Sequence, residues 1–371
     1  MKPKQLIRRL LVVAAALAIT PLTIASAYDN DENNDIVYTM SNAATGNQVL
    51  AFRQGYDGNL TPAGEFATGG AGTGGGLGNQ GALATDGDFL LVVNPGSDDL
   101  SVLRKTSKGL KLVERIPSGG IRPVSVTVDR DLIYVLNAGS DNIAGFVMRN
   151  NGKLYPLTGS ERGLSGDGVA AAQVQFSRDG RSLIVTEKAT NKIVTFSLNY
   201  AGLPVDRKVF DSPGQTPFGF ALGRGRQVLI SEAVGGAPNA SSVSSFRIDR
   251  DANLTVLDAS VPTLQSAACW VAVTPDTRFA YVTNTASGTV SGYRVMPGGQ
   301  LQLLNSNGIT ATTGPGSGPI DLSFSDGGEY LHVLNSGTGS IATFAVSRRG
   351  GLTAVGSFNG LPAGSNGLVA F

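Results

Sequence analysis

The 371-residue chain contains one cysteine, one histidine and one tryptophan, and only 15% of its residues are charged. Each shortage removes a class of protein. Cys269 and His332 together cannot supply the ligands of a structural zinc site or an iron–sulfur cluster, and a lone cysteine closes no intrachain disulfide. Packing alone must therefore hold the fold. The near-balance of 29 Lys and Arg against 28 Asp and Glu argues against nucleic acid as a partner, which requires clustered cations. No cofactor is expected. The run Gly69–Gly78 formally contains Gly70-x-Gly72-x-x-Gly75, but no strand–helix–strand unit surrounds it and no Gly-Lys-Ser/Thr occurs, so it reads as a flexible loop.

Long apolar runs are also scarce. Leu10 to Ile19 follows the basic residues Lys2, Lys4, Arg8 and Arg9, stops before Pro21, and precedes the small-residue stretch Ala25-Ser26-Ala27. This is the pattern of a secretion signal over residues 1–27, too short for a stable membrane span. Arg8-Arg9 faintly suggests a twin-arginine signal, although an ordinary basic region is the favoured reading. The expected mature chain carries a net charge of −3, begins with an acidic spacer over residues 28–35, and is periplasmic or extracellular.

What the chain has in quantity is glycine, 50 residues of it, together with a recurring phrase. Leu90-Leu-Val-Val-Asn94 is followed by Leu100 and Leu103. Ile133-Tyr-Val-Leu-Asn137, Leu183-Ile-Val-Thr-Glu187, Ala280-Tyr-Val-Thr-Asn284 and Leu331-His-Val-Leu-Asn335 repeat it, each with apolar residues six and nine positions beyond the last. Two copies are modified: Val37-Tyr-Thr-Met-Ser-Asn42 has one extra residue, and Val228-Leu-Ile-Ser-Glu232 is followed by a five-residue insertion, Gly235 to Asn239. The anchors 42, 94, 137, 187, 232, 284 and 335 recur at the spacing of four-stranded propeller blades.

In each repeat an inner strand such as Pro123-Val-Ser-Val-Thr-Val128 leads to a nearly all-apolar second strand, as expected for a strand covered on both faces. The Asn or Glu anchor opens a tight turn, and a third strand ends near an aromatic residue. The first repeat begins at its second strand and the chain ends on an orphan inner-strand pattern, Asn366-Gly-Leu-Val-Ala-Phe371. The expectation is an all-β, seven-bladed β-propeller over residues 36–371, its ring closed by the C-terminal strand joining the first blade.

With Ser177-Arg-Asp-Gly180 and Thr274-Pro-Asp276 before second strands, these repeats resemble the seven-bladed lactonase-type propeller family, which includes 6-phosphogluconolactonase-like and 3-carboxymuconate-cyclase-like proteins. The likeness covers residues 36–371. It implies a lactone hydrolase or a lactonising, cyclase-like isomerase, with a His and Arg residues at inner-strand starts and a Glu at a second-strand end. Glu232 matches that Glu by position. The others are not matched: Ala171-Ala172-Gln173 stands where the His would align, and Thr216-Pro217 and Pro319-Ile320 stand where Arg would.

Antiparallel pairing puts the start of each inner strand and the end of each second strand on one face of the disc. That face is the expected site. Glu232, Glu187 and Arg122 are the candidate catalytic groups: two carboxylates as acid and base, with a cation for a carboxylate or developing oxyanion. The alternative is that both Glu accept backbone N–H bonds in Asn-type turns. Asn79, Gln80, Gln173, Phe218, Trp270, Asp321 and Asn366 are the candidate ligand contacts, Trp270 being open between stacking on a ring and burial between blades. The Gly69–Gly78 loop, which precedes Asn79 and Gln80, would act as a lid at the mouth, and the Gly235–Asn239 insertion would rim it. His332, where Tyr134 and Tyr281 stand in other repeats, reads as packing, and Cys269 as an inert core residue. The expected function is action on a small lactone, sugar acid or related cyclic ester by a monomer. The alternative is a non-catalytic propeller binding carbohydrate, peptide or an envelope protein.

Overall fold

The computed structural model describes residues 35–371. The expected signal and all but the last residue of the spacer lie outside them. Seven antiparallel sheets, each built on a four-stranded path, succeed one another as blades of a ring. Among the described residues there is no α-helix; the one helical turn is Val234–Gly236. Among the described residues, no helix is long and apolar enough to cross a membrane.

Blade 4 shows why the pattern folds this way. Its strands are Ala171–Phe176, Ser182–Glu187, Lys192–Leu198 and Pro204–Asp211, counted outward from the axis. Every residue of Ser182–Glu187 is buried, because the neighbouring blades cover both faces of the sheet there. The outermost strand mostly faces solvent and carries Asp206, Arg207 and Lys208. Blades 3, 6 and 7 are tied to the next sheet by one second-strand position. Tyr134 Oη donates to the Gly202 carbonyl (2.7 Å) and Tyr281 Oη to the Gly350 carbonyl (2.8 Å). His332 occupies that position in blade 7, and its Nε2 lies 2.6 Å from Gln54 Oε1 of blade 1, its Nδ1 3.0 Å from Thr343 Oγ1.

The last strand closes the ring. Asn366–Ala370 pairs antiparallel with Ile36–Met40, placing Val37 opposite Ala370 and Tyr38 opposite Val369. The Ile36 N–H donates to the Phe371 carbonyl (3.0 Å). The Phe371 ring stacks on Tyr38, with centroids 5.4 Å apart, and the Lys105 ammonium sits 3.0 Å from its centroid. On its other edge the strand bonds to blade 7: Leu368 N–H to Asp321 Oδ2 (3.0 Å) and Ala370 N–H to Ser323 Oγ (3.0 Å). Gly367 is required at this seam. Its φ is +72°, and a Cβ there would lie 2.2 Å from Leu83 Cδ1.

Removing Asn366 to Phe371 should thus lower the thermal unfolding midpoint by on the order of 10 °C, and Gly367→Val should shift it in the same direction. Calorimetry on both variants checks this; an unchanged midpoint for the truncation would mean the ring does not depend on its last strand.

Candidate functional site

In blades 3 to 7 and in blade 1, the inner strand is bulged where it pairs with the end of the second strand. In blades 3 to 7 the residue opposite the bulged start is the anchor, for example Pro123 opposite Asn137 and Pro217 opposite Glu232. The residues just before these starts, Arg122, Ala170, Thr216, Ala267 and Gly318, all have left-handed backbone with φ between 52° and 57°. The same turn is built five times, whatever side chain it carries.

The anchors are turn braces. Asn94 Nδ2 donates to Asp99 Oδ1 and Ser101 Oγ (both 2.7 Å), and Asn284 Nδ2 to Thr289 Oγ1 (3.1 Å) and Ser291 Oγ (2.8 Å). Glu187 and Glu232 occupy the same place with the polarity reversed. Glu187 accepts from Ser165 N–H (2.9 Å), the Ser165 hydroxyl and Thr190 Oγ1 (2.7 Å). Glu232 accepts from Gly214 N–H (2.9 Å), Ser244 Oγ (2.5 Å), Ser212 Oγ (3.3 Å) and the Ser242 hydroxyl. A serine or threonine hydroxyl can turn to accept from an amide or donate to a carboxylate, which is why Asn and Glu exchange here. Both carboxylates are fully buried, so the expected pair facing one open pocket is replaced by two separate turn braces.

The inner strands present their free edge to the channel, and its N–H groups need acceptors. Neighbouring blades supply them. Val174 N–H donates to Ser125 Oγ (3.1 Å), and Phe220 N–H to Gln173 Oε1 (2.7 Å), with Gln173 Nε2 returning a bond to the Phe220 carbonyl (3.0 Å). Asp321 accepts from Leu322 N–H (2.9 Å) through one oxygen and from Leu368 N–H (3.0 Å) through the other. Blade 5 has Gly219 at this position and cannot serve blade 6. Gln80, which precedes the blade 2 inner strand, does so instead: Val271 N–H donates to its Oε1 (3.1 Å) and its Nε2 donates to the Val271 carbonyl (2.8 Å). A Cβ on Gly219 would lie 2.1 Å from that Oε1, so the missing side chain is what admits Gln80.

The Gly69–Gly78 loop thus ends in a plug rather than forming a lid. Gln80 N–H donates to the Ala172 carbonyl of blade 4 (3.1 Å), and the Gly81 carbonyl accepts from Val126 N–H of blade 3 (2.8 Å). Asn79 is buried and its Nδ2 donates to the Val124 carbonyl; Leu77 is buried as well. Two cations hold the outer side of the plug: Arg122 Nη2 donates to the Leu77 carbonyl (3.4 Å) and Lys188 Nζ to the Gly78 carbonyl. Lys188 was not a candidate from sequence, although its place directly after the Glu187 anchor was a usable signal. Its ammonium lies 4.8 Å from the Phe218 ring centroid, and burial, with Arg122 adding to it against Cys269, pulls its pKa down to about 8. Phe218 packs on Trp270 with centroids 4.8 Å apart. Both rings are buried, as is Asn366, and none of the three lines the central chamber. Burial pushes the Cys269 thiol up to about 11, which leaves it unreactive. The Gly235–Asn239 insertion is tied back by Gly235 N–H to Thr216 Oγ1 (3.0 Å).

Behind the plug lies a chamber of about 340 Å3, lined by Gln80, Gln173, Gln175, Thr127, Thr85 and Asp321 with aliphatic strand residues and Phe220. Asp321 is its one acid. Burial pushes this carboxyl up to about 7, more than its two N–H donors pull it down. Of the expected residues, the structure therefore brings Gln80, Gln173 and Asp321 together and leaves Arg122 outside the plug.

The family model for the lactonase seven-bladed β-propeller matches residues 78–164 and 230–365, more than half of the chain. The chain belongs to this family. Among curated proteins none matches it in sequence. Among solved structures it is similar to the periplasmic gluconolactonase of Pseudomonas aeruginosa (20% identity, TM-score 0.70), covering 90% of this chain and 98% of that one. It is also similar to a Bacteroides fragilis protein provisionally assigned as a 6-phosphogluconolactonase (20% identity, TM-score 0.73; 92% and 99% covered). A Lactobacillus plantarum protein is similar at 17% identity and TM-score 0.75, over 91% and 99% of the chains.

Two buried groups give opposite pH responses. Asp321 has a raised pKa, so its contribution is full below its unfolded value near 3.8 and is lost as pH rises through about 7. Burial lowers His332 from 6.5 to about 4, so its contribution is full above 6.5 and is lost as pH falls toward 4. Denaturant unfolding at pH 5 and pH 8 should show wild type losing stability between the two pH values that Asp321→Asn does not lose, although the variant starts lower because its single amide oxygen serves only one of the two N–H groups, and His332→Gln losing less than wild type on acidification. Glu232→Gln should cost about 1 kcal/mol at neutral pH, because the bonds from the Gly214 N–H and the serine hydroxyls lose their charge assistance even where a hydroxyl turns to accept from the new amide.

Proposed function

We propose that the chain hydrolyses a small polyhydroxylated lactone in the central chamber, with Asp321 as the general base. The carrying observation is the placement of one carboxyl, titrating near 7, in a chamber otherwise walled by amides, hydroxyls, aliphatic groups and Phe220. Such walls suit a neutral ligand rich in hydroxyls. In the step proposed, Asp321 takes a proton from water as the hydroxide attacks the lactone carbonyl. The ring C–O bond breaks and the leaving oxygen receives the proton back, giving the open hydroxy acid. Membership of the lactonase family and the likeness to a gluconolactonase support the reaction class. Because Gln80 crosses the channel at the anchor face, substrate would reach Asp321 from the opposite face. Glu187 and Glu232 have no part in this step. Arg122 and Lys188 would hold the plug. Export to the periplasm or beyond belongs to the same proposal and rests on residues 1–27.

A second reading is a non-catalytic propeller that binds carbohydrate, peptide or an envelope protein. It is favoured by the plug, which fills the anchor-face mouth with the chain's own residues. Turnover of a panel of sugar lactones by the purified mature protein separates the two. Asp321→Asn should reduce kcat/KM at least about 100-fold while leaving the protein folded, and the wild-type rate should rise with pH with a midpoint near 7. Absence of turnover across the panel, or turnover indifferent to Asp321, would leave only the binding reading.

A further inference from the structure

The face away from the plug carries a cleft of about 430 Å3 between blades 5 and 6 whose charge departs from the rest of the chain. Five arginines line it. Arg224 and Arg226 lie on the loop between the first two strands of blade 5, and Arg247 on its third strand; Arg278 and Arg294 occupy the corresponding loop and third strand of blade 6. Asp276 is the one acid in the lining. It pairs with Arg278 (Nε to Oδ2, 2.6 Å), and Arg226 pairs with Asp179 of blade 4 (2.9 Å). Among the described residues, Arg224, Arg247 and Arg294 have no carboxylate partner.

Blade geometry alone does not produce this concentration. A cleft of about 590 Å3 between blades 3 and 4, on the same face, is lined by Asp129, Asp131 and Asp179 against Arg130, Arg181 and Arg250. There the charges balance. In the cleft between blades 5 and 6, three of the five arginines converge without a carboxylate partner in a chain that is close to neutral overall. The guanidinium groups are also partly ordered: Arg294 and Arg278 sit 5.2 and 5.6 Å from the Phe279 ring centroid. Such a contact steadies the plane of the group and leaves its N–H edge free. Unpaired guanidinium forks around a concave space match oxyanions, which take two parallel N–H bonds from each fork.

We propose that this cleft is a binding site for a compact, multiply charged oxyanion of the phosphate-ester type. It is independent of the central chamber, sharing no residue with it. Titration calorimetry of the full chain at low salt, with pyrophosphate and inorganic phosphate as probes, tests it. Pyrophosphate should bind more tightly than phosphate, and Arg224→Ala with Arg247→Ala should weaken it at least about tenfold. The pair Arg224→Lys with Arg247→Lys should also weaken it, because charge is kept but the fork is lost. Arg130→Ala with Arg250→Ala in the balanced cleft, and Asp321→Asn in the chamber, should leave it unchanged. The proposal is overturned if pyrophosphate does not bind, if both alanine pairs weaken it equally, if the lysine pair binds as well as wild type, or if only a long polyanion such as heparin binds.

Discussion

The constraint on which the rest of this structure depends is the free edge of seven inner strands around one channel. A buried N–H without an acceptor costs a few kcal/mol, and a propeller presents a row of them wherever blades converge. Here most of the acceptors come from neighbouring or distant blades: Ser125 for blade 4, Gln173 for blade 5, Gln80 for blade 6, and Asp321 for blade 1 as well as for its own blade 7. These bonds join the sheets, and they decide which side chains stand in the channel.

That double duty explains the character of Asp321. A residue recruited to accept two backbone N–H groups had to be an acceptor, and a carboxyl placed so far from solvent titrates near neutrality. A structural requirement and a chemically useful group thus coincide in one side chain. Gln80 tells a related story, because the absence of a side chain at Gly219 admits a residue from three blades away. The channel is crossed, and its anchor-face mouth closed, by a segment whose glycines looked from sequence like a loose lid.

The fold was legible because it is written in repetition. Seven phrases of apolar second strand, anchor and turn specify seven sheets, and an orphan strand pattern at the C-terminus specifies how they close. His332 could be read from the tyrosines standing in its place elsewhere, and it makes their kind of link to the next blade. The site was less legible. Glu187 and Glu232 drew attention by departing from Asn, yet a hydroxyl partner that can reverse its role makes that departure a neutral exchange. Lys188, beside one of them, depends on contacts with Gly78 and Phe218 that lie 110 and 30 residues away.

By itself, then, the sequence determined the number of blades, their order, the closing strand and the face on which the anchors gather, since each of these follows from local periodicity and turn chemistry. Only the tertiary structure decided which polar groups are consumed as braces, which stand in the chamber, and which arginines share a cleft. Those outcomes turn on distances between residues far apart in the chain, where a bond to a backbone carbonyl and a bond to a ligand look identical in one dimension.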